Sequence, residues 1–311
     1  MQTTHLEDLV NPAQAEAVLA EVRHLLGPMG AWDPLIARAH GDTVRLFRGE
    51  YPGYRRSNTK YHDLEHTMSV FLAMARLLHG AWCEGLRLEP PMIRTGMFAA
   101  LFHDVGLIQH SDDTSGTGAK YTVGHEDRSN SFMSDYLGDC GVPPEEIADG
   151  KDMIAGTRLM QRVSDIAFRT PECALVGKMV ASADLLAQMG DRAYLEKLLL
   201  LFREFEEARL PGFDSELTLL EKTEDFYEHV VRKRLEEDLD NVARYLPSHF
   251  KARWEIERDL YALALTKNLE YLRKVLEEDR DNYRERLRRA GVVARLESEE
   301  FPTDLKQSST G

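Results

Sequence analysis

Cysteine is scarce in these 311 residues: Cys83, Cys140 and Cys173 lie far apart and form no CxxC pair. That spacing excludes a zinc-finger ligand set and a disulfide framework, and it fits a reducing compartment. Long apolar runs are missing, so no membrane-spanning helix is expected. The opening MQTTHLEDLV has neither a basic start nor an apolar stretch. No signal peptide is therefore expected, and a cytoplasmic location is. Positive charge is in deficit: 39 Lys and Arg stand against 53 Asp and Glu, a net charge of −14. A broad nucleic-acid surface would be basic, so this balance excludes one, while leaving room for a small nucleotide in a locally cationic pocket. Strand-like alternation and internal repeats are also absent. The GTGAK stretch at 116–120 lacks the spacing and the preceding strand of a phosphate-binding Walker loop, and reads as a lid or plain loop.

What is present is helical periodicity in a chain that is 43% hydrophobic. Asn11-Pro12 reads as a cap and first helical position, followed by the stripe Val18, Leu19, Val22, Leu25 and Leu26. Further helices are predicted over 34–48, from His62 through Leu78, from Pro90 through Phe102, and over 125–138, 144–159 and 172–189. Residues 49–60 form a polar loop, and 108–123 a mobile one. After 190 the chain turns dense in Glu, Arg and Lys, predicting long amphipathic helices over 191–209, 215–245 and 251–290. The reading is all-α in three parts: a core over 1–195, a charged helical extension over 196–300 that packs on it or dimerises, and a disordered tail at 301–311.

Two clusters carry the chemistry. YHDLEH at 61–66 holds His62 and His66, four apart and on one face if helical. FHDVG at 102–106 ends an apolar helix in His103-Asp104. Histidine and aspartate are costly to bury unpaired, and a shared metal ion accounts for them economically.

The order His66, His103-Asp104, then a distant Asp184 resembles the HD-domain metal-dependent phosphohydrolases, with their H…HD…D pattern on an all-helical scaffold. Tyr61-His62-x-x-x-His66 is similar to the form found in cyclic-nucleotide phosphodiesterases and some bacterial HD hydrolases. GHEDRSN at 124–130, IAGTR at 154–158 and ADLLAQMG at 183–190 resemble the later helices of the bacterial group. The resemblance covers about 35–195. It implies that His66, His103, Asp104 and Asp184 bind a divalent ion, with Mn, Fe, Co, Ni or Zn suited to imidazole plus carboxylate and Mg also admissible.

By the same resemblance His62 protonates a leaving oxygen, or else orients a ligand. His125 and Glu126 bind a second ion or position water. The histidine that two-ion members carry near 150–160 has no counterpart here, since position 158 is Arg. Arg158, Lys60 and Arg128, with Arg55 and Arg56, are candidates to hold phosphate oxygens. The implied activity is hydrolysis of a phosphomonoester or phosphodiester, most plausibly of a nucleotide, by metal-activated water. The alternatives are a di-iron oxygenase of the same scaffold and a non-enzymatic module that binds a nucleotide or partner. A homodimer built on the C-terminal helices is compatible with each.

Overall fold

The computed structural model describes residues 5–300 and is all-α. Among the described residues there is no strand, only an isolated bridge between Tyr54 and His110. The first half runs α1 (Leu6–Leu9), α2 (Ala15–Leu26), α3 (Pro34–Arg48), α4 (Leu64–Cys83), α5 (Pro90–Phe102), α6 (His125–Asp139), α7 (Pro144–Ala155) and α8 (Pro171–Met189). The second half adds α9 (Tyr194–Glu207), α10 (Glu216–Phe226), α11 (Leu246–Trp254), α12 (Leu260–Asp279), α13 (Tyr283–Arg286) and α14 (Val292–Glu300). None of these is long and apolar enough to cross a membrane.

The axis of the fold is α4. Between His66 and Ala81 only Ser69 escapes full burial. A helix that is apolar on every side must be surrounded, and α2, α5, α8 and α11 surround this one. The later helices therefore spend their apolar faces on this same chain. Two polar ties bind them: Arg76 of α4 donates to the Tyr261 hydroxyl at 2.9 Å, and Arg253 pairs with Glu21 at 3.0 Å.

Several boundaries differ from the sequence reading. Asn11 does not cap a helix at Pro12; its side chain accepts from the Ala13 N–H in a turn, and α2 begins at Ala15. The helix read from His62, α4, starts at Leu64, because the Asp63 carboxylate accepts the His66 N–H and caps it there. The predicted 144–159 helix stops at Ala155. The two long C-terminal helices are each broken. Asp240 and Asn241 adopt φ of 52° and 48°, and Glu255 adopts 58°, left-handed values that end a helical run without glycine or proline. Asp259 then restarts the chain by accepting from the Tyr261 and Ala262 N–H groups. The predicted tail at 301–311 lies outside the described residues.

Candidate metal centre

Four helix positions bring the donors together. His66 stands on the first turn of α4, His103 follows the last residue of α5, His125 opens α6, and Asp184 projects from α8. Asp104 comes next after His103. Its neighbours are pinned by Ser129, a fully buried residue of α6 that donates to the His103 carbonyl at 2.6 Å and accepts the Gly106 N–H at 2.9 Å.

Gly106 makes that approach possible. A methyl group there would stand 2.0 Å from the His125 carbonyl oxygen and 2.7 Å from the Ser129 nitrogen. Gly106→Ala is therefore expected to push α6 off the cluster and lower stability by about 1–3 kcal/mol, read as a drop in melting temperature. Gly138→Ala on the same helix, which meets nothing within 4 Å, serves as the control.

His66, His103 and Asp104 are 6%, 1% and 4% exposed. Their donor atoms lie within 4.8 Å of one another, a grouping able to hold a metal ion. The two Nε2 atoms are 3.4 Å apart, and Asp104 Oδ2 is 3.5 Å from His66 and 3.2 Å from His103. Asp184 Oδ1 joins at 3.2 Å from His66 Nε2 and 3.7 Å from His103 Nε2. Bonds of about 2.0–2.2 Å to a tetrahedral ion give ligand–ligand edges of roughly 3.3–3.6 Å, so these separations suit one. His103 Nδ1 lies 3.0 Å from the Ala100 carbonyl, which makes it the protonated nitrogen of a neutral ring and turns the Nε2 lone pair inward. Asp104 Oδ2 is buried without a hydrogen bond. Lone pairs facing an orphaned carboxylate oxygen demand a cation, whether a proton or a metal. With no ion bound, burial opposes the charge on His103, but Asp104 prevails and holds its pKa near 9.

The other oxygen of Asp104 faces a different way. Its Oδ1 lies 3.2 Å from His125 Nε2, and His125 Nδ1 is turned to the Thr122 carbonyl at 2.9 Å. Asp104 thus bridges two sides, but the second side offers only His125 and this oxygen among the residues brought together. Glu126 lies 3.8 Å from His125, on the Nδ1 edge of that ring.

His62 does not share a helical face with His66, because it precedes the Asp63 cap. It is placed instead by Glu204, whose Oε2 is 2.6 Å from His62 Nδ1 and whose Oε1 accepts the Lys60 and Tyr61 N–H groups, each at 2.8 Å. Burial works against a charge on His62; Glu204 overrides it and raises the pKa to about 9. The Glu204 carboxyl is held below its ordinary range in turn, burial opposing and His62 prevailing. Nothing in the sequence marks Glu204. It lies 142 residues from its partner, in an acid-rich helix within the segment read as an extension.

Among the expected phosphate-binding cations, only Arg158 borders the cluster. It lies 3.8 Å from Glu126 and also pairs with Asp127. Its turn is fixed from behind by buried Arg234, which donates to the carbonyls of Gly156, Arg158, Leu159 and Gln161. Arg128 is committed elsewhere: it donates to the Gly106 and Ile108 carbonyls and stacks 3.8 Å from the Tyr121 ring centre. It braces the segment after Asp104, a role its position in the sequence did not reveal. Arg55 is similarly bonded to the Asp113 carbonyl. Lys60 and Arg56 line a separate cavity whose walls include none of the cluster residues. The 108–123 loop is not mobile in character, being tied by Thr117 to Glu207, Lys120 and Tyr121 to Asp113, and Gly118 to Asn58.

A family model described as Npun_R2479-like matches residues 53–252, more than half of the 311-residue chain, and the chain belongs to that family. The matched span contains every residue of the cluster together with Glu204 and Arg234. None of the curated proteins matches the chain.

Proposed function

We propose that this member of the Npun_R2479-like family is a metal-dependent phosphohydrolase on an HD-type scaffold. It cleaves a phosphomonoester or phosphodiester, with a nucleotide as the favoured substrate. The observation that carries this reading is the convergence of His66 Nε2, His103 Nε2, Asp104 Oδ2 and Asp184 Oδ1 in a buried site with an orphaned carboxylate oxygen. These four residues hold the ion. When bound, it supplies a Lewis acid and a water of lowered pKa.

The remaining roles belong to the chain itself. His62 keeps its proton at neutral pH because Glu204 stabilises the imidazolium, and with Nδ1 held by Glu204 the Nε2 proton is the one it gives to the leaving oxygen. Arg158, half-buried at the rim beside Glu126, meets the phosphoryl oxygens. His125 orients Asp104 through its free oxygen. The three cysteines are unpaired, which suits a reducing cytoplasm.

Metal analysis of the purified protein, run beside hydrolysis of p-nitrophenyl phosphate and bis(p-nitrophenyl) phosphate with added Mn, tests the reading. About one ion per chain together with turnover supports it. Two irons without hydrolysis would move the chemistry to oxygen activation. No metal and no turnover after reconstitution would leave a binding module.

A further inference from the structure

We propose a second ligand site, separate from the metal-ligand cluster: a cationic cavity that takes a small phosphorylated molecule with an apolar or aromatic body. The cavity encloses about 460 Å³ where the end of α3, residues 56–60, the start of α4, α9 and α14 meet. That volume falls within the range of about 300–1,000 Å³ typical of small-molecule sites. Its apolar floor is Phe47, Leu64, Leu200, Val292 and Leu296. Around it stand Arg48, Arg56, Lys60 and Arg295, all exposed. In a chain of net charge −14, four cations around one hollow is a local reversal of sign.

The arginines are also unspent. Many of the other arginines are paired: Arg94 with Asp33 and Glu146, Arg253 with Glu21, Arg284 with Glu216. Among the described residues, the side chains of Arg48, Arg56 and Arg295 have no hydrogen bond or ion pair. The two acids on the wall are outnumbered by the cations, and their hydrogen bonds go elsewhere. Asp63 caps α4 through the His66 N–H, and Glu65 pairs with Lys197 at 3.0 Å. The roof is built rather than incidental. Glu196 of α9, almost fully buried, accepts the Ala290 and Val292 N–H groups at 2.6 and 2.9 Å and so anchors the start of α14 over the hollow. Guanidinium groups bind phosphate in pairs of parallel hydrogen bonds, and an apolar floor beneath them selects for a body attached to that phosphate.

Calorimetric titration with ADP in EDTA reads this site alone, since chelation removes any ion from the cluster. ADP is expected to bind the wild type and His103→Ala alike. The triple variant Arg48→Ala, Arg56→Ala, Arg295→Ala is expected to bind about tenfold more weakly or worse, with an unchanged melting temperature because these side chains hold nothing in the fold. Inorganic pyrophosphate, which engages the rim but not the floor, is expected to bind more weakly than ADP. The proposal is overturned if ADP fails to bind in EDTA or if the triple variant binds as the wild type does. It is equally overturned if only His103→Ala loses binding, or if pyrophosphate matches ADP.

Discussion

Asp104→Ala is expected to abolish metal retention and, with it, turnover, by about a thousandfold or more. Removing partners that merely orient metal ligands costs about 10–100-fold, and Asp104 is the one residue whose two oxygens face both sides of the site. The loss should not be repaired by excess Mn. His103→Ala is expected to behave likewise, since its ring lies 3.4 Å from His66 and 3.2 Å from Asp104. By contrast, Arg128→Lys should keep the metal while weakening the brace on the Gly106 and Ile108 carbonyls. Metal content after dialysis, measured beside phosphodiester hydrolysis, checks both. An Asp104→Ala protein that keeps its ion would refute the ligand assignment.

The second large effect is on pH dependence. His62 titrates near 9 because Glu204 outweighs its burial. The acid form is present below that value and is lost as pH rises through it, so hydrolysis should decline on an alkaline limb near pH 9. Glu204→Gln keeps the shape and removes the charge. Burial then opposes the imidazolium with only the lesser pull of Asp104 and Asp184 against it, so the pKa falls from about 9. The limb is expected to move by two pH units or more, leaving roughly a tenfold or greater deficit at pH 8 that shrinks toward pH 6. Stability follows the same sign. The His62–Glu204 contribution is complete below about pH 6.5 and is lost as pH rises through 9. A pH–rate profile that Glu204→Gln leaves in place would remove His62 from the acid role.

His66 and His103-Asp104 stood out in the sequence because each lies in a short motif at a helix end, whereas Asp184, inside α8, was picked out by the resemblance; the structure brings the four together. The all-α class was legible from periodicity alone. What escaped the sequence has a common physical origin. Glu204 meets His62 through tertiary packing, and no local pattern distinguishes it from the acids around it. Arg128 looked like a phosphate ligand because a cation beside a metal motif invites that reading; whether its guanidinium turns to solvent or to backbone carbonyls depends on the fold of 104–108. The long C-terminal helices broke where Asp240, Asn241 and Glu255 take left-handed backbone angles, which propensity disfavours and packing imposes.

The reach from His62 to Glu204 also sets an order of assembly. All four expected ligands precede residue 190, so a chain emerging from synthesis holds them while Glu204, the partner of His62, is still to come. α4 likewise waits for α11 before its last face is covered. A nascent or truncated chain ending near 195 would therefore carry the ligands with an exposed apolar flank and an unassisted His62. On the proposed function, competence would arrive only with the second half of the polypeptide, so the charged helices would take part in maturing the site.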